Sequence, residues 1–443
     1  MKKIRFCLVL LAVVALMGGT AFALTPYDHV KIAPNGEGDL LFFPWYLAAS
    51  GGWQTQISVI NTSNTYSTVA KVVIRSHNWS DELLDFLIYL SPNDVWTGYI
   101  RYGAQGTYIY SDDDSILVSK PVGTMAAADV AIYFASPTNP VSQVFFPVKC
   151  PAASKLDSKT DSTDYGYVEV IEVNATTSLG TGKLGKEKVF NWYEGTASAD
   201  MYTANILTGY HEFQNTTAGS YSALIRAQVY ADWNNMTFQR TEANTGLLDT
   251  SNNSLGELEA AMAKTDVALP YVWKGAAATL HFFTFPTKMS FKAKTSDTAC
   301  DSYVNSQLPG PYFKKLGSAI KCVDYSSAGY DLKENTVATG PFSGGTTTNR
   351  MCEEVQWVPA YISGDLFTEG WIRYYWIASN DTTGFTLKNT SYTGTFTGAP
   401  VLSSSLYIRA ASVSEAEAAW TQNYVRVNSV NYPYYQYSDA VQP

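Results

Sequence analysis

The sequence predicts a mainly β protein, with an antiparallel, immunoglobulin-like β-sandwich in its N-terminal part and a second β-rich part that carries one or two short helices. Apolar and polar residues alternate in several short runs, which is the pattern of strands with one buried face. Turn-forming phrases such as Ser91-Pro92-Asn93-Asp94 separate these runs. Aromatic residues make up 14% of the chain, and its 31 Tyr residues favour strands over helices.

The individual strands are clearest in the first quarter of the chain. An apolar run at residues 40–43 predicts the first strand, which we expect Pro44 to end. Alternating runs predict the next four strands at residues 53–59, 70–75, 84–90 and 95–100. Strands of this length, without helical periodicity between them, are typical of a sandwich.

Composition divides the chain into three segments. Residues 1–23 form a predicted signal peptide, residues 24–151 a predicted β-sandwich domain, and residues 152–443 a predicted second β-rich domain. The boundary is placed at a polar stretch, residues 152–163, which is rich in Ser, Asp and Lys.

Two capping boxes predict short helices in the second domain. In each, a Ser is followed three residues later by a Glu, so that the two side chains can satisfy free N–H groups of the first helical turn. The first is Ser254 with Glu257, and the second is Ser414 with Glu417.

The N-terminus carries the pattern of a cleavable signal peptide. Lys2, Lys3 and Arg5 precede an apolar stretch, and Ala21-Phe22-Ala23 is a small-x-small cleavage site, so the mature chain should begin after it. The apolar stretch is too short to span a bilayer, and no transmembrane helix is expected after cleavage. The predicted location is the cell surface or the extracellular space, with the periplasm and the outer membrane left open.

The charge balance excludes two classes of partner. The chain has 30 basic and 39 acidic residues, and loss of the three basic signal residues leaves 27 against 39, a net charge of −12. Nucleic acids and anionic membranes are bound through clustered Lys and Arg, so neither is an expected partner. Self-association, other surface proteins and glycans stay open.

Four cysteines of the mature chain predict disulfides. An even number in an exported chain allows three connectivities, and we expect Cys322 to pair with Cys352, which leaves Cys150 to pair with Cys300. The segment between Cys322 and Cys352 is rich in Gly, Ser and Thr, and a bridge at its base would contribute about 3 kcal/mol. The Cys spacing does not fit zinc, the four His are scattered, and no metal or cofactor is expected.

Carboxylates are the most specific candidates for catalysis, because glycosidases use a pair of them. Glu169 and Glu172 lie three residues apart, so on one strand they point to opposite faces, and the adjacent Glu353 and Glu354 fail in the same way. Three other acids that could combine with them in space are Glu194, Glu212 and Asp232. No catalytic residue is assigned.

Three aromatic clusters are candidates for binding, at residues 43–46, 371–376 and 432–437. Their rings can stack on sugars or pack against a neighbouring subunit, and packing in the protein's own core is the alternative. The C-terminal cluster is the favoured interaction site because exposed Tyr side chains bury large areas at low entropic cost. Its members are Tyr432, Tyr434, Tyr435 and Tyr437.

Several phrases resemble a family of exported or surface proteins of Gram-negative bacteria for which no activity is known. They are ISVINTS (57–63), LDFLIYLSP (84–92), YVEVIE (167–172), TFPTK (284–288) and MCEEV (351–355). The resemblance implies an exported, β-rich protein and supplies no catalytic residue.

These observations together predict a non-enzymatic surface or extracellular protein with a structural or adhesive role, such as a subunit of a fibre or surface layer. The alternative is a carbohydrate-binding protein or a glycosidase. An outer-membrane β-barrel is a further alternative, although the predicted strands are shorter than the strands of about ten residues that it needs.

Overall fold

The fold is described from a computed structural model of the chain. The structure describes residues 30–49, 51–77, 80, 82–111, 113, 143–146, 163–195, 203–215, 220–221, 225–233, 255–272, 277–291, 314–316, 320–333, 336–337, 349–351, 353–360, 369–376, 385–386, 395–396, 398–412 and 415–420.

Strands dominate the described residues, as the sequence predicts. The first thirteen are β1 (Lys31–Ile32), β2 (Leu40–Leu47), β3 (Trp53–Asn61), β4 (Tyr66–Ser76), β5 (Glu82–Leu90), β6 (Val95–Gly103), β7 (Gly106–Tyr110), β8 (Gln143–Phe145), β9 (Tyr165–Thr177), β10 (Leu207–Asn215), β11 (Ser220–Tyr221), β12 (Ile225–Arg226) and β13 (Gln228–Ala231). The others are β14 (Ala263–Lys264), β15 (Asp266–Val272), β16 (Ala277–Thr284), β17 (Lys314–Leu316), β18 (Ile320–Asp331), β19 (Thr336–Val337), β20 (Asn349–Met351), β21 (Val355–Pro359), β22 (Glu369–Trp376), β23 (Phe385–Thr386), β24 (Thr395–Phe396), β25 (Ala399–Pro400), β26 (Leu402–Ser412) and β27 (Glu415–Trp420).

The first part of the chain forms an antiparallel β-sandwich, which confirms the predicted fold class. Sheet A has the strand order β1-β13-β2-β9-β4-β5, and sheet B has the order β11-β10-β3-β6-β7-β8, with β12 also paired to β10. Alternate side chains of both sheets meet in a shared core, for example Val72 and Phe86 from sheet A and Ile57 and Trp96 from sheet B. The runs of alternating residues thus form strands with one face in this core.

Strands that follow residue 151 complete this sandwich. In sheet A, β9 lies between β2 and β4, and in sheet B, β10 pairs with β3 along its whole length, from Leu207↔Asn61 to Asn215↔Trp53. The predicted boundary at residue 151 therefore falls between strands of one sandwich. In the sequence, residues 152–163 separate β8 from β9, and composition alone does not show which distant strands pair.

A second sandwich follows, and it is built in the same way. Sheet C has the order β15-β22-β18-β17, with β19 and β20 also on β18, and sheet D has the order β21-β16-β26-β27. Its core contains Leu269, Tyr374 and Trp376 from sheet C and Phe283 and Val358 from sheet D.

Sheet A is buried on both of its faces. One face packs on sheet B, whereas the other, with Phe42, Trp45 and Tyr167, joins a cluster that includes Phe282 and Leu406 of sheet D. This double burial explains why the first strand is apolar at consecutive positions rather than at alternate ones.

The sequence predicts that the first strand ends at Pro44, but in the structure β2 continues to Leu47. The pairing of β2 with β9 shifts in register between Phe43 and Tyr46, so the proline occupies an irregularity where its missing N–H costs no ladder hydrogen bond. The Pro44 carbonyl accepts a hydrogen bond from the Thr284 hydroxyl of the second sandwich.

Two α-helices lie within the described residues. Helix α1 (Gly182–Gly195) packs on β4 and β5 through Val189 and Tyr193, and α2 (Leu255–Met262) confirms the short helix predicted after Ser254. The second predicted helix is wrong, because Glu415–Trp420 forms β27, an edge strand held by β26. Neither helix is both long and apolar enough to traverse a lipid bilayer.

Candidate functional site

The face of sheet B that points away from sheet A carries a connected set of polar side chains. On β3, Ile57 and Val59 enter the core, so the alternation turns Gln54, Gln56 and Ser58 to the other face. The register places Arg101, Tyr99 and Thr97 of β6 on one side of these three residues, and Gln214, Glu212 and Tyr210 of β10 on the other. We call this the outer face of sheet B.

A chain of hydrogen bonds crosses this face from β6 to β10. Arg101 Nε donates to Gln54 Oε1 at 2.7 Å, and Gln54 Nε2 donates to Gln214 Oε1 at 2.9 Å. Gln214 Nε2 in turn donates to Gln56 Oε1 at 2.8 Å and to Glu212 Oε2 at 3.0 Å. All bonds run in one direction, from a cation to an anion, so each polarises the next and the side chains are held in fixed positions.

Aromatic rings flank the cationic end of this chain. The Arg101 guanidinium carbon lies 5.0 Å from the ring centroid of Tyr99 and 4.7 Å from that of Tyr110, so it contacts two tyrosines from neighbouring strands. All three side chains are half-buried. Packing therefore fixes the orientation of the two rings and of the guanidinium group, and part of each side chain remains accessible to solvent.

The outer face of sheet B offers both donors and acceptors to a ligand. Within the described part of the chain, the hydrogen bonds above leave the Gln56 amide N–H groups and the two Arg101 Nη atoms as donors, and Glu212 Oε1 as an acceptor. These groups could contact a ligand by hydrogen bonding and by ring contact.

Glu169, Glu172 and Glu353, from the two candidate pairs, each have hydrogen-bond partners of their own. Glu169 is fully buried and accepts a hydrogen bond from Arg75 Nε at 2.9 Å, whereas Glu172 faces a different set of partners, as their spacing predicts. Glu353 Oε2 accepts from the Tyr165 hydroxyl at 3.1 Å and lies 3.2 Å from His77 Nδ1.

Of the remaining candidate acids, Asp232 lies near Glu172 and Asp39, and the others lie elsewhere. The buried Glu354 lies 3.6 Å from Lys288 Nζ. Of the three further acids, Glu194 lies in α1, Glu212 belongs to the outer face of sheet B, and Asp232 accepts a hydrogen bond from Asn205.

A buried group of acids in the first sandwich brings two of the sequence candidates, Glu172 and Asp232, close to Asp39, which sequence reasoning missed. Glu172 accepts from the Thr68 hydroxyl and from the backbone N–H groups of Ala204 and Asn205, at 3.0, 2.9 and 3.0 Å. Burial raises the pKa of Glu172 to about 7, and burial together with the nearby Glu172 charge raises the pKa of Asp39 well above its ordinary value. No short sequence spacing joins these residues, because the fold brings them together.

The raised pKa of Glu172 makes the free energy of unfolding depend on pH. The stabilisation associated with its protonated form is complete below the ordinary value near 4.5 and is lost as pH rises through about 7, a change of about 3 kcal/mol. Glu172→Gln keeps the shape without the charge, so it should stabilise the protein by about 3 kcal/mol more at pH 8 than at pH 4. Urea unfolding at the two pH values measures this.

The control is Glu369→Gln, which changes an exposed carboxylate on β22. Its effect on the free energy of unfolding should be nearly the same at both pH values. If Glu172→Gln also changes the free energy of unfolding by the same amount at pH 4 and pH 8, the raised pKa of Glu172 is contradicted.

The aromatic clusters divide between core and surface. Of the first cluster, Trp45 and Tyr46 are fully buried. In the second cluster, Tyr374 and Trp376 belong to the core of the second sandwich, and Trp371 is half-buried and stacks on Tyr330 with centroids 4.0 Å apart.

The remaining predicted sites fall largely outside the described residues. This holds for the C-terminal tyrosines 432, 434, 435 and 437 and for Cys150, Cys300 and Cys352. Cys322 lies in β18, where the next residue, Val323, pairs with Met351, the residue that precedes Cys352 in the sequence. The predicted Cys322–Cys352 bridge stays a prediction.

Among the described residues, no three His, Cys, Asp or Glu side chains are grouped so that they could hold a metal ion. The buried His281 has a structural role: its Nδ1 lies 2.8 Å from the Tyr374 hydroxyl and its Nε2 lies 2.8 Å from the Pro270 carbonyl. Burial lowers the pKa of His281 to about 4, so the ring is neutral, with Nε2 as the donor.

Comparison with known proteins gives no further assignment. The chain matches no protein-family model. A search of curated proteins found no relative, and a search of solved structures found no matching fold. The site is therefore interpreted from its own geometry and chemistry.

Proposed function

We propose that this chain is an exported, non-enzymatic surface protein with a structural or adhesive role, and that it engages its partner through the outer face of sheet B. The observation that carries the proposal is the continuous hydrogen-bond chain from Arg101 to Glu212. Gln54 and Gln214 are buried and take their hydrogen-bond partners from neighbouring side chains, which fixes the half-buried Arg101, Gln56 and Glu212 beside them. A face whose polar side chains are held by each other is already ordered for binding, which lowers the entropic cost of association.

The structural roles of the candidate acids support the non-enzymatic part of the proposal. Glycoside hydrolysis needs two carboxyl groups that face one substrate bond. Here Glu169 is bound to Arg75, Glu172 to Thr68 and two backbone N–H groups, and Glu353 to Tyr165. The signal-peptide pattern at residues 1–23 supports export.

Adhesion of coated beads to cells tests the proposal. Beads that carry residues 24–443 should be retained on intact cells of the source organism that lack their own copy of the protein, and Arg101→Met should reduce retention several-fold. The matched control is Arg373→Met, since Arg373 also lies over a tyrosine, Tyr375 at 4.9 Å, on an outward-facing part of the second sandwich. Retention that is indifferent to Arg101→Met would refute the role of this face.

A further inference from the structure

We infer that the outer face of sheet B binds a neutral polysaccharide. This inference rests on the proposed function and names the chemical class of the partner. Three features carry it: the donors and acceptors of the face, the tyrosine rings among them, and the balance of charge.

The hydrogen-bonding groups match a polyol. A sugar hydroxyl both donates and accepts, and neighbouring hydroxyls on a ring pair well with amide and guanidinium groups that are held side by side. The outer face offers the Gln56 amide and Arg101 Nη donors together with the Glu212 carboxylate acceptor, all linked through Gln214 and Gln54. The hydroxyls of Ser58 and Thr97, 3.4 Å apart, lie on the same face.

The rings supply the apolar part of sugar recognition. The face of an aromatic ring carries negative potential, which attracts the polarised C–H groups on one side of a pyranose. Tyr99 and Tyr110 lie on neighbouring strands with centroids 6.2 Å apart, and Tyr210 lies on the far side of β3. All three are half-buried, so the rings are partly accessible and little side-chain entropy remains to be lost on binding.

The overall charge of the chain favours a neutral ligand over an anionic one. The described part of the face carries two cations, Arg101 and Arg226, and one anion, Glu212. Arg226 lies opposite Tyr210 on β12 and donates to Thr208, whereas the hydrogen-bond chain joins Arg101 to Glu212. The whole chain carries a net charge of −9, which repels polyanions.

The shape favours a polymer over a single sugar. The polar groups lie across β10, β3, β6 and β7, and neighbouring strands are about 4.8 Å apart, so the face is wider than one sugar ring. Several rings of one chain can therefore lie across it together, and their weak contacts add up.

Affinity electrophoresis of the mature chain, residues 24–443, tests the inference. Native gels would contain dextran, hydroxyethyl cellulose or galactomannan as neutral polymers, and polygalacturonate as the anionic one. At least one neutral polymer should retard the protein, and Arg101→Met and Gln56→Ala should each weaken that retardation at least tenfold. Arg373→Met should leave it unchanged, and circular dichroism should show the same thermal midpoint for all variants.

The inference is overturned if no neutral polymer retards the folded protein, if only polygalacturonate does, or if Arg373→Met weakens binding as much as Arg101→Met. The adhesion assay distinguishes a failure of the proposed function from a failure of the inference that the ligand is a polysaccharide. Bead retention that still depends on Arg101 without any polysaccharide binding would leave the proposed function standing and reject the glycan. If bead retention does not depend on Arg101 and no neutral polysaccharide is bound, both the proposed function of this face and the polysaccharide inference are rejected.

Discussion

Replacement of Trp45 by alanine is expected to lower the free energy of unfolding by about 5 kcal/mol. The Trp45 side chain is fully buried between the two sandwiches, where it stacks on Phe282 at 4.7 Å and contacts His211 and Phe213 edge to face. The alanine variant leaves a cavity and removes the hydrogen bond from Trp45 Nε1 to Ser404 Oγ, 2.8 Å in the native protein. Guanidinium denaturation followed by circular dichroism measures the loss.

The matched control is Trp371→Ala, which removes a half-buried indole stacked on Tyr330 at the surface of the second sandwich. This substitution should lower the free energy of unfolding by about 1 kcal/mol, because the half-buried Trp371 side chain buries less apolar surface on folding than Trp45 does. Because Trp45 bridges the sandwiches, its loss should also split one unfolding transition into two. A single unfolding transition for Trp45→Ala would show that Trp45 does not couple the sandwiches, and equal losses for the two variants would contradict the larger contribution expected of the buried indole.

Breaking the ion pair between Arg75 and Glu169 is expected to cost about 4 kcal/mol. Arg75 is 1% exposed and Glu169 is 0% exposed, so removal of one partner leaves the other charged, or forces it to neutralise, in a medium that solvates it poorly. Arg75→Met and Glu169→Leu should each show this loss. The double variant should lose much less than the sum, because no isolated charge remains.

The control pair is Arg373 and Asp266, also 2.9 Å apart but with side chains 35% and 15% exposed. Arg373→Met should cost less than 1 kcal/mol because water replaces the lost partner. Urea unfolding of the single and double variants gives the coupling energy directly. Additive losses for Arg75→Met and Glu169→Leu would contradict a coupled buried pair.

The sequence predicts the type of fold because the relevant signals are local. Alternation at residues 53–59 is enough to identify β3 and even the face that carries its glutamines. The same local reasoning fails at residues 414–417, where a capping-box pattern is overruled by pairing with β26, from Leu406↔Trp420 onward. Helix α1 has no acidic residue in its first turn and no basic residue in its last, so its start and stop signals are weak.

The candidate site could not be predicted because its members come from distant parts of the chain. Gln54 and Gln214 hydrogen bond across 160 positions, and Thr68 reaches Glu172 across 104. Each residue alone is an ordinary polar position on a strand. Only the register of β3 with β10 shows that the glutamines are neighbours.

The topology of sheet A determines how late in synthesis this sheet can be completed. Its strand β2 is held on one side by β9, with Leu40 opposite Ile171, and on the other by β13, with Leu41 opposite Val229. Such pairings have high contact order and form slowly. A nascent chain whose synthesis has not reached residue 231 lacks β13, so it cannot complete sheet A. Export in an unfolded state, which the predicted signal peptide implies, is thus compatible with a fold that closes only after a distant strand has arrived.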